Sequence, residues 1–340
     1  MGSTRGRKGC RVRGADAFAT PGGFWRVLGR FLRAWGLIVL GGGLGTQPDA
    51  WLGGTRLQAD ETATADSVQW LEALEYSRPD GTSLQLNLAR PAKLNAPAPA
   101  VLCIHGGGFR AGKRDRWNTT CKQLAERGYV AATVTYRLAP AHPYPAAVHD
   151  VKAAVRWLRA HAAQHGIDPE RIGVLGDSAG GHLAQYLGVT GDVPTLEGDG
   201  GSAGHSSRVT CVVNYYGPSD LTRSYGRSVD AGEVLPLWLG GDAYQQRHRH
   251  ILASPLYWVS PTSAPTLLIH GTRDPYVHFE QAVWIYERMQ AADVAVELLT
   301  LENAGHGFQG EDAQRAEQAM FEFLDRNLKS KAAAAQPSQN

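Results

Sequence analysis

Four cysteines in 340 residues are too few for a disulfide framework, and neither a C-x-x-C nor an H-E-x-x-H string occurs. Structural zinc, a thioredoxin-type redox pair and a zinc peptidase therefore have no motif support, and no metal is expected. Long apolar runs are missing too. The uncharged stretch 34–45 falls short of the ~20 residues that a membrane-spanning helix requires. Charge of one sign is scarce, with 34 Lys and Arg against 32 Asp and Glu, a net +2. Even that surplus belongs to residues 1–33, which hold eight basic residues and one acid, Asp16. The remainder carries 26 basic against 31 acidic residues, net −5. A nucleic-acid-binding domain would show a basic patch on its body, so no nucleic-acid partner is expected. No solenoid-type repeat is present.

What the chain does have begins at Gly176-Asp-Ser-Ala-Gly180. This fits the G-x-S-x-G elbow, in which a serine sits on a sharp strand-to-helix turn. The apolar run 171–175 reads as the strand and 179–189 as the helix. A second apolar run, 100–104, leads into His105-Gly-Gly-Gly-Phe109. A glycine loop after a strand can present backbone N–H groups to a developing oxyanion without side chains in the way. The amides of Gly107, Gly108 and Ala179 are the expected donors. A serine hydroxyl needs a base, and the base needs an orienting acid, in the chain order Ser, Asp or Glu, His. Asp274 follows the expected strand 266–270, and His306 follows the expected strand 294–300. Ser178, Asp274 and His306 form the candidate triad. Asp220 and Asp242 also fall on expected loops and compete for the acid, as His270 and His278 do for the base. Asp177 reads as a structural hydrogen-bonder and His105 as a brace for its loop.

These stretches, with Tyr136-Arg-Leu-Ala-Pro140, Gly166-Ile-Asp-Pro169, Gly271-Thr-Arg-Asp274 and Ala304-Gly-His-Gly-Phe308, resemble the α/β-hydrolase superfamily. Within it the chain is most similar to hormone-sensitive-lipase-like esterases and to the bifunctional feruloyl and acetyl-xylan esterase group. The likeness runs over roughly residues 66–328 and implies the same triad and oxyanion donors. No upstream helical cap is evident, which favours the acetyl and feruloyl group.

Alternation of apolar strands with amphipathic helices predicts a mainly parallel sheet covered on both faces, the α/β-hydrolase fold. The strands are 100–104, 129–135, 171–175, 209–214, 266–270 and 294–300. The helices lie near 117–127, 146–164, 179–189, 278–291 and 312–328. A hairpin of 69–77 and 84–89 around Pro79-Asp80-Gly81 precedes them. The expected organisation is an arginine-rich export leader at 1–45, a linker at 46–66, the hydrolase domain at 67–330 and a tail at 331–340. The leader pattern points to a periplasmic or extracellular protein, with a cytoplasmic extension as the alternative. Residues 191–206 read as a flexible loop and Arg247-His-Arg-His250 as a solvated face. The insertion 217–262 reads as a small cap. Phe109, Tyr216 and Trp238 are candidate substrate contacts, and Trp238 alternatively packs the cap. Cys103, Cys121 and Cys211 read as buried thiols, with a Cys103–Cys121 bridge left open.

The expected activity is hydrolysis of a small or carbohydrate-linked carboxylic ester through an acyl-enzyme, with no cofactor and no stable membrane span. An arylformamidase and a non-catalytic binding protein on the same scaffold are the alternatives. Oligomeric state is not legible.

Overall fold

The computed structural model describes residues 67–329. The expected leader, linker and tail, and Cys10, lie outside the described residues. Among the described residues eight strands form one sheet: β1 (Val68–Ser77), β2 (Leu84–Pro91), β3 (Ala98–Ile104), β4 (Val130–Val134), β5 (Ile167–Asp177), β6 (Cys211–Tyr215), β7 (Thr266–Gly271) and β8 (Val296–Leu301). Their order is β1-β2-β4-β3-β5-β6-β7-β8. The β1–β2 and β2–β4 pairs are antiparallel and every other pair is parallel.

Among the described residues eight α-helices lie between and after the strands: α1 (Asn118–Glu126), α2 (Ala146–Ala160), α3 (Ala162–His165), α4 (Ala179–Val189), α5 (Ala231–Leu239), α6 (Arg247–Leu252), α7 (Glu280–Ala291) and α8 (Gly310–Leu324). The expected helix 146–164 is thus broken at His161. Residues 325–329 continue past α8 as a wider turn.

Strands β3, β4, β6 and β7 are buried end to end, which is why β3, Ala-Pro-Ala-Val-Leu-Cys-Ile, is an unbroken apolar run. Its side chains still alternate between two cores. Leu102 and Ile104 join a cluster with Leu158 of α2, Leu183 of α4 and Trp238 of α5. Val101 and Cys103 join another with Leu124 of α1 and Phe321 of α8. Each fully buried leucine contributes roughly 1.5–3 kcal/mol relative to exposure. A third, smaller cluster sets Ile285 and Met289 of α7 against Leu268 of β7. Cys103 and Cys121 are free thiols with Sγ atoms 3.7 Å apart, so no bridge is formed.

Strand order reverses at β3, because the chain goes from β3 to β4 on one side and returns as β5 on the other. Open parallel sheets bind ligands beyond the carboxyl ends of the strands at such a reversal. The His105 loop leaves β3 there and Ser178 leaves β5 there.

Two loop expectations are corrected. Residues 191–206 are not loose: Lys152 and Arg156 of α2 each reach Glu197 at 2.8 Å, and Arg156 also donates to the carbonyls of Glu197 and Gly200. The Arg247–His250 stretch is not wholly solvated either. His250 is fully buried, with its Nε2 2.9 Å from the Tyr225 hydroxyl and its Nδ1 3.0 Å from the Gln246 carbonyl. The helical turn of α6 puts that one side chain on the inner face.

Candidate active site

Ser178 takes φ 53° and ψ −119° between β5 and α4. A non-glycine residue held there costs on the order of 1–3 kcal/mol and persists only where its surroundings impose it. The imposition is visible: the Ser178 N–H donates to the Tyr215 carbonyl at 2.9 Å. The strand-to-helix crossing is so tight that a Cβ on Gly180 would lie 2.1 Å from the Ile104 carbonyl oxygen. Only glycine allows that approach, which explains its place two residues after the serine.

Three side chains from three strand ends meet here. The Ser178 hydroxyl donates to His306 Nε2 at 2.9 Å, and His306 Nδ1–H donates to Asp274 Oδ2 at 2.7 Å. A carboxylate can only accept, so the Nδ1 proton is fixed and Nε2 presents its lone pair to the serine. Asp274 Oδ1 accepts from the N–H groups of Tyr276 and Val277, both at 2.9 Å. The His270 Nε2–H lies 2.7 Å from the Val277 carbonyl and 3.5 Å from Asp274. The Asp274 side chain is fully buried, whereas that of His306 is 20% exposed. Burial alone would raise the Asp274 carboxyl pKa. Hydrogen bonding from His270 and His306, attraction to His306 and the Val277 N–H outweigh it and hold the carboxyl well below the usual range. The two loops are tied together by the Arg273 N–H donating to the Ala304 carbonyl at 3.0 Å.

The rival residues do other work. Asp220 caps a short turn at Thr222 and Asp242 caps one at Tyr244 and Gln245. His278 sits 2.9 Å from Glu280 just before α7.

The glycine loop packs beside the serine. Gly106 N–H donates to Asp177 Oδ1 at 2.9 Å, joining the loop to the elbow. His105 stacks on Tyr136 with ring centres 4.3 Å apart, and the Tyr136 hydroxyl donates to the His105 carbonyl. Burial lowers the His105 pKa, against the opposing pull of the Gly106 carbonyl and Asp177. Gly107 has φ 116°, and a Cβ there would meet the Ala111 carbonyl oxygen at 2.2 Å. Gly107, Gly108, Ala179 and Ser178 all line one cavity of about 510 Å³, and those three amides donate to no other described residue.

Of the candidate substrate contacts, Phe109 and Tyr216 line this cavity and Trp238 does not. Trp238 is fully buried, stacked on the far side of Phe109 with ring centres 3.7 Å apart. The aromatic at the α5 position packs the cap because Phe109 takes the cavity wall in front of it. Phe109 and Tyr216 have φ 59° and 43°, so strained backbone recurs around the site. The Tyr216 ring lies 4.6 Å from the His306 ring and the Tyr276 ring 5.3 Å.

The cap and the start of α7 contribute lining residues that sequence reasoning did not find. Leu221, Val234 and Leu235 give the cavity an apolar side, and Ser224, His278 and Gln281 a polar one. Arg110 of the glycine loop is ion-paired with Glu233 of α5. The Val229 N–H donates to the Pro275 carbonyl at 2.9 Å, joining the cap to the Asp274 loop. The one signal available was Asp274-Pro-Tyr-Val277, an Asx-type turn in which one carboxylate both shapes its loop and faces the histidine. Among the described residues no cluster of three or more His, Cys, Asp or Glu could hold a metal ion, and no helix is long and apolar enough to cross a membrane.

Such a constellation can deprotonate a hydroxyl next to a set of fixed amide donors. Several known proteins have similar chains. The esterase LipC of Mycobacterium tuberculosis is 35% identical over 225 residues, 64% of this chain and 55% of LipC, so the chain spans about half that relative. Ethyl acetate hydrolase of Pseudomonas putida is 31% identical, over 72% of this chain and 77% of its own length. A thermophilic esterase from Thermogutta terrifontis, Est2, superposes with a TM-score of 0.65 at 30% identity, over 75% of this chain and 91% of that one. The same esterase is known phosphonylated by sarin. The fold is that of the α/β-hydrolases. The BD-FAE family model matches residues 86–289, and the chain belongs to the BD-FAE family.

Proposed function

We propose that this protein is a serine carboxylic-ester hydrolase that works through an acyl-enzyme on short-chain or carbohydrate-linked esters of the acetyl and feruloyl type. One observation carries the reading: the unbroken hydrogen-bonded line Ser178–His306–Asp274, at 2.9 and 2.7 Å, beside the free amides of Gly107, Gly108 and Ala179. Family membership and the esterase relatives support it.

In this reading Ser178 Oγ attacks the ester carbonyl carbon as its proton passes to His306 Nε2. Asp274 stays ionised and stabilises the imidazolium. The carbonyl oxygen becomes an oxyanion that accepts from Gly107, Gly108 and Ala179. Each such donor is worth roughly 3–4 kcal/mol of barrier. The C–O bond breaks, the leaving alkoxide takes the proton from His306, and the acyl group remains on Ser178. Water, deprotonated by His306, then attacks the acyl-enzyme, and Ser178 is released with its proton restored.

The test pairs a covalent label with a substitution. An organophosphonate should add to the Ser178 peptide in stoichiometric amount and abolish hydrolysis of 4-nitrophenyl acetate. Ser178→Ala should lower kcat by ~10⁵-fold or more and take no label. Undiminished ester turnover in Ser178→Ala would overturn the assignment. A rate on an N-formyl aryl amide exceeding that on the ester would favour the amide hydrolase instead.

A further inference from the structure

Among the described residues, three side chains with a full charge line the cavity beside the triad: Arg110, Asp177 and Asp230. Two of them are neutralised. Arg110 pairs with Glu233, while Asp177 lies 3.5 Å from Arg116 and accepts from the Gly106 N–H. His278, on the same wall, meets Glu280 at 2.9 Å. Asp230 has no such partner among the described residues. It stands just before α5, where an aspartate ordinarily accepts from the first N–H groups of the helix, yet its side chain takes none of them. Ser228 Oγ approaches Asp230 Oδ1 at 3.5 Å, but its one proton goes to the closer Tyr276 carbonyl. The arginines of the same stretch are engaged elsewhere. Arg223 and Arg227 lie over the Trp284 ring, pair with Asp220 and Glu280, and do not line the cavity.

We propose that Asp230 is a specificity residue for the alcohol half of the ester, and that the alcohol it selects carries an ammonium group. The inference rests on the hydrolase reading above. The leaving oxygen takes its proton from His306 Nε2, so the alcohol lies on the His306 side. Asp230 is held to that side by its neighbours. The Ser228 hydroxyl donates to the Tyr276 carbonyl and the Val229 N–H to the Pro275 carbonyl, which fastens the approach to α5 onto the loop that bears Asp274. The rings of Tyr216 and Tyr276 neighbour the His306 ring there, at 4.6 and 5.3 Å between centres, and both residues line the cavity.

The ligand class follows from charge and surface together. A carboxylate can only accept, and in a cleft with low-dielectric walls its field is focused on whatever enters. A neutral alcohol leaves that charge unmatched, however many hydroxyls it offers. A cation matches it. Aromatic rings add attraction for an ammonium group, more so once that group is desolvated. Val234 and Leu235, one helical turn beyond Asp230, present hydrocarbon to the same space, which suits methyl groups on the nitrogen. The class is thus the ester of an amino alcohol, of which choline is a simple quaternary form.

The experiment uses the full-length enzyme and two acetate esters of nearly the same shape: acetylcholine, and 3,3-dimethylbutyl acetate, in which carbon replaces the charged nitrogen. The quantity read is the ratio of their kcat/KM values, which cancels any general loss of activity in a variant. In the native enzyme the ratio should be about ten or more, the size that a cation held by a carboxylate and aromatic rings implies. Asp230→Asn keeps the shape and should bring the ratio to about one, whereas Asp230→Glu should retain most of it. Raising NaCl from about 0.02 M to about 0.5 M should lower the native ratio and leave that of Asp230→Asn where it is. Tetramethylammonium should inhibit hydrolysis of 4-nitrophenyl acetate competitively, with a Ki about fivefold higher or more in Asp230→Asn. A native ratio near one, or a ratio that Asp230→Asn leaves intact, would overturn the proposal. So would 2-hydroxyethyl acetate matching acetylcholine, because Asp230 would then be reading a hydrogen bond and not a charge. Hydrolysis of 3,3-dimethylbutyl acetate without a preference for acetylcholine would overturn this inference alone, whereas hydrolysis of no ester would overturn the hydrolase reading with it.

Discussion

Asp274 is pulled in two directions. Burial favours its neutral form, while His270, His306 and two backbone N–H groups favour the carboxylate, and the second set prevails. The folded protein therefore binds this proton more weakly than the unfolded chain, whose aspartate titrates near ~3.9. By linkage, the stabilising contribution is complete above that value and is lost as pH falls through it toward the lower folded value. Asp274→Asn keeps the shape but cannot gain or lose charge. At pH 7 it should be less stable than the native protein by about 1.5–3 kcal/mol, the range for a hydrogen bond to a charged group. Urea midpoints at pH 7, 4 and 3 should show that gap narrowing as acid is added. A gap independent of pH would mean that the carboxylate contributes no charge-dependent stability. The same substitution should cost ~10⁴-fold in kcat, because an amide in this position can hold the imidazole in the wrong tautomer.

Among the elements, the ones governed by local pattern were readable and the ones governed by distant partners were not. The elbow helix runs over Ala179–Val189 as its sequence predicts, because a strand, a glycine-flanked turn and an apolar face are all encoded within a few residues. Ser178, Asp274 and His306 could be placed at one sheet edge because each follows an apolar strand. The segment 191–206 misled because Gly, Ser and Asp report backbone freedom and say nothing of a lysine some 45 residues earlier. The Trp238 position was ambiguous for a similar reason, since apolar bulk suits a pocket wall and a cap core equally. Lys152 is fully buried, and burial depresses its pKa while Glu197 opposes that shift. Removing the carboxylate from such a pair leaves an uncompensated cation in the interior. Glu197→Ala should therefore destabilise by ~3 kcal/mol. Lys152→Met should cost clearly less, since Glu197 is partly exposed and keeps Arg156 at 2.8 Å and Ser207 at 2.7 Å. Chemical denaturation of the two variants decides the point. Equal losses would mean that the segment is held by its backbone contacts and not by charge.

For the molecule as a whole, the question is whether the cap is a separate lid or part of the body. Val234, Leu235, Trp238 and Leu239 of α5 belong to the same buried cluster as Leu102 and Ile104 of the central strand. The Tyr144 N–H donates to the Trp238 carbonyl at 2.7 Å, and Arg110 pairs with Glu233 across the mouth of the site. A lid drawn from the low-stability end of a protein has few buried apolar contacts, and this cap has many. Opening it alone would uncover Trp238 and the face of Phe109 together. The cap should therefore unfold with the sheet in one cooperative step. Trp238→Ala removes a side chain whose indole N–H has no protein partner, so its cost is packing alone, ~3–5 kcal/mol. Because that packing is shared with the central strand, the loss should shift the whole transition. Esterase activity and far-UV circular dichroism should fall at the same urea concentration in the native protein, and again, at a lower concentration, in the variant. If the variant instead loses activity well before its circular dichroism changes, the cap melts as its own unit, and the walls of the cavity are not fixed by the core beneath them.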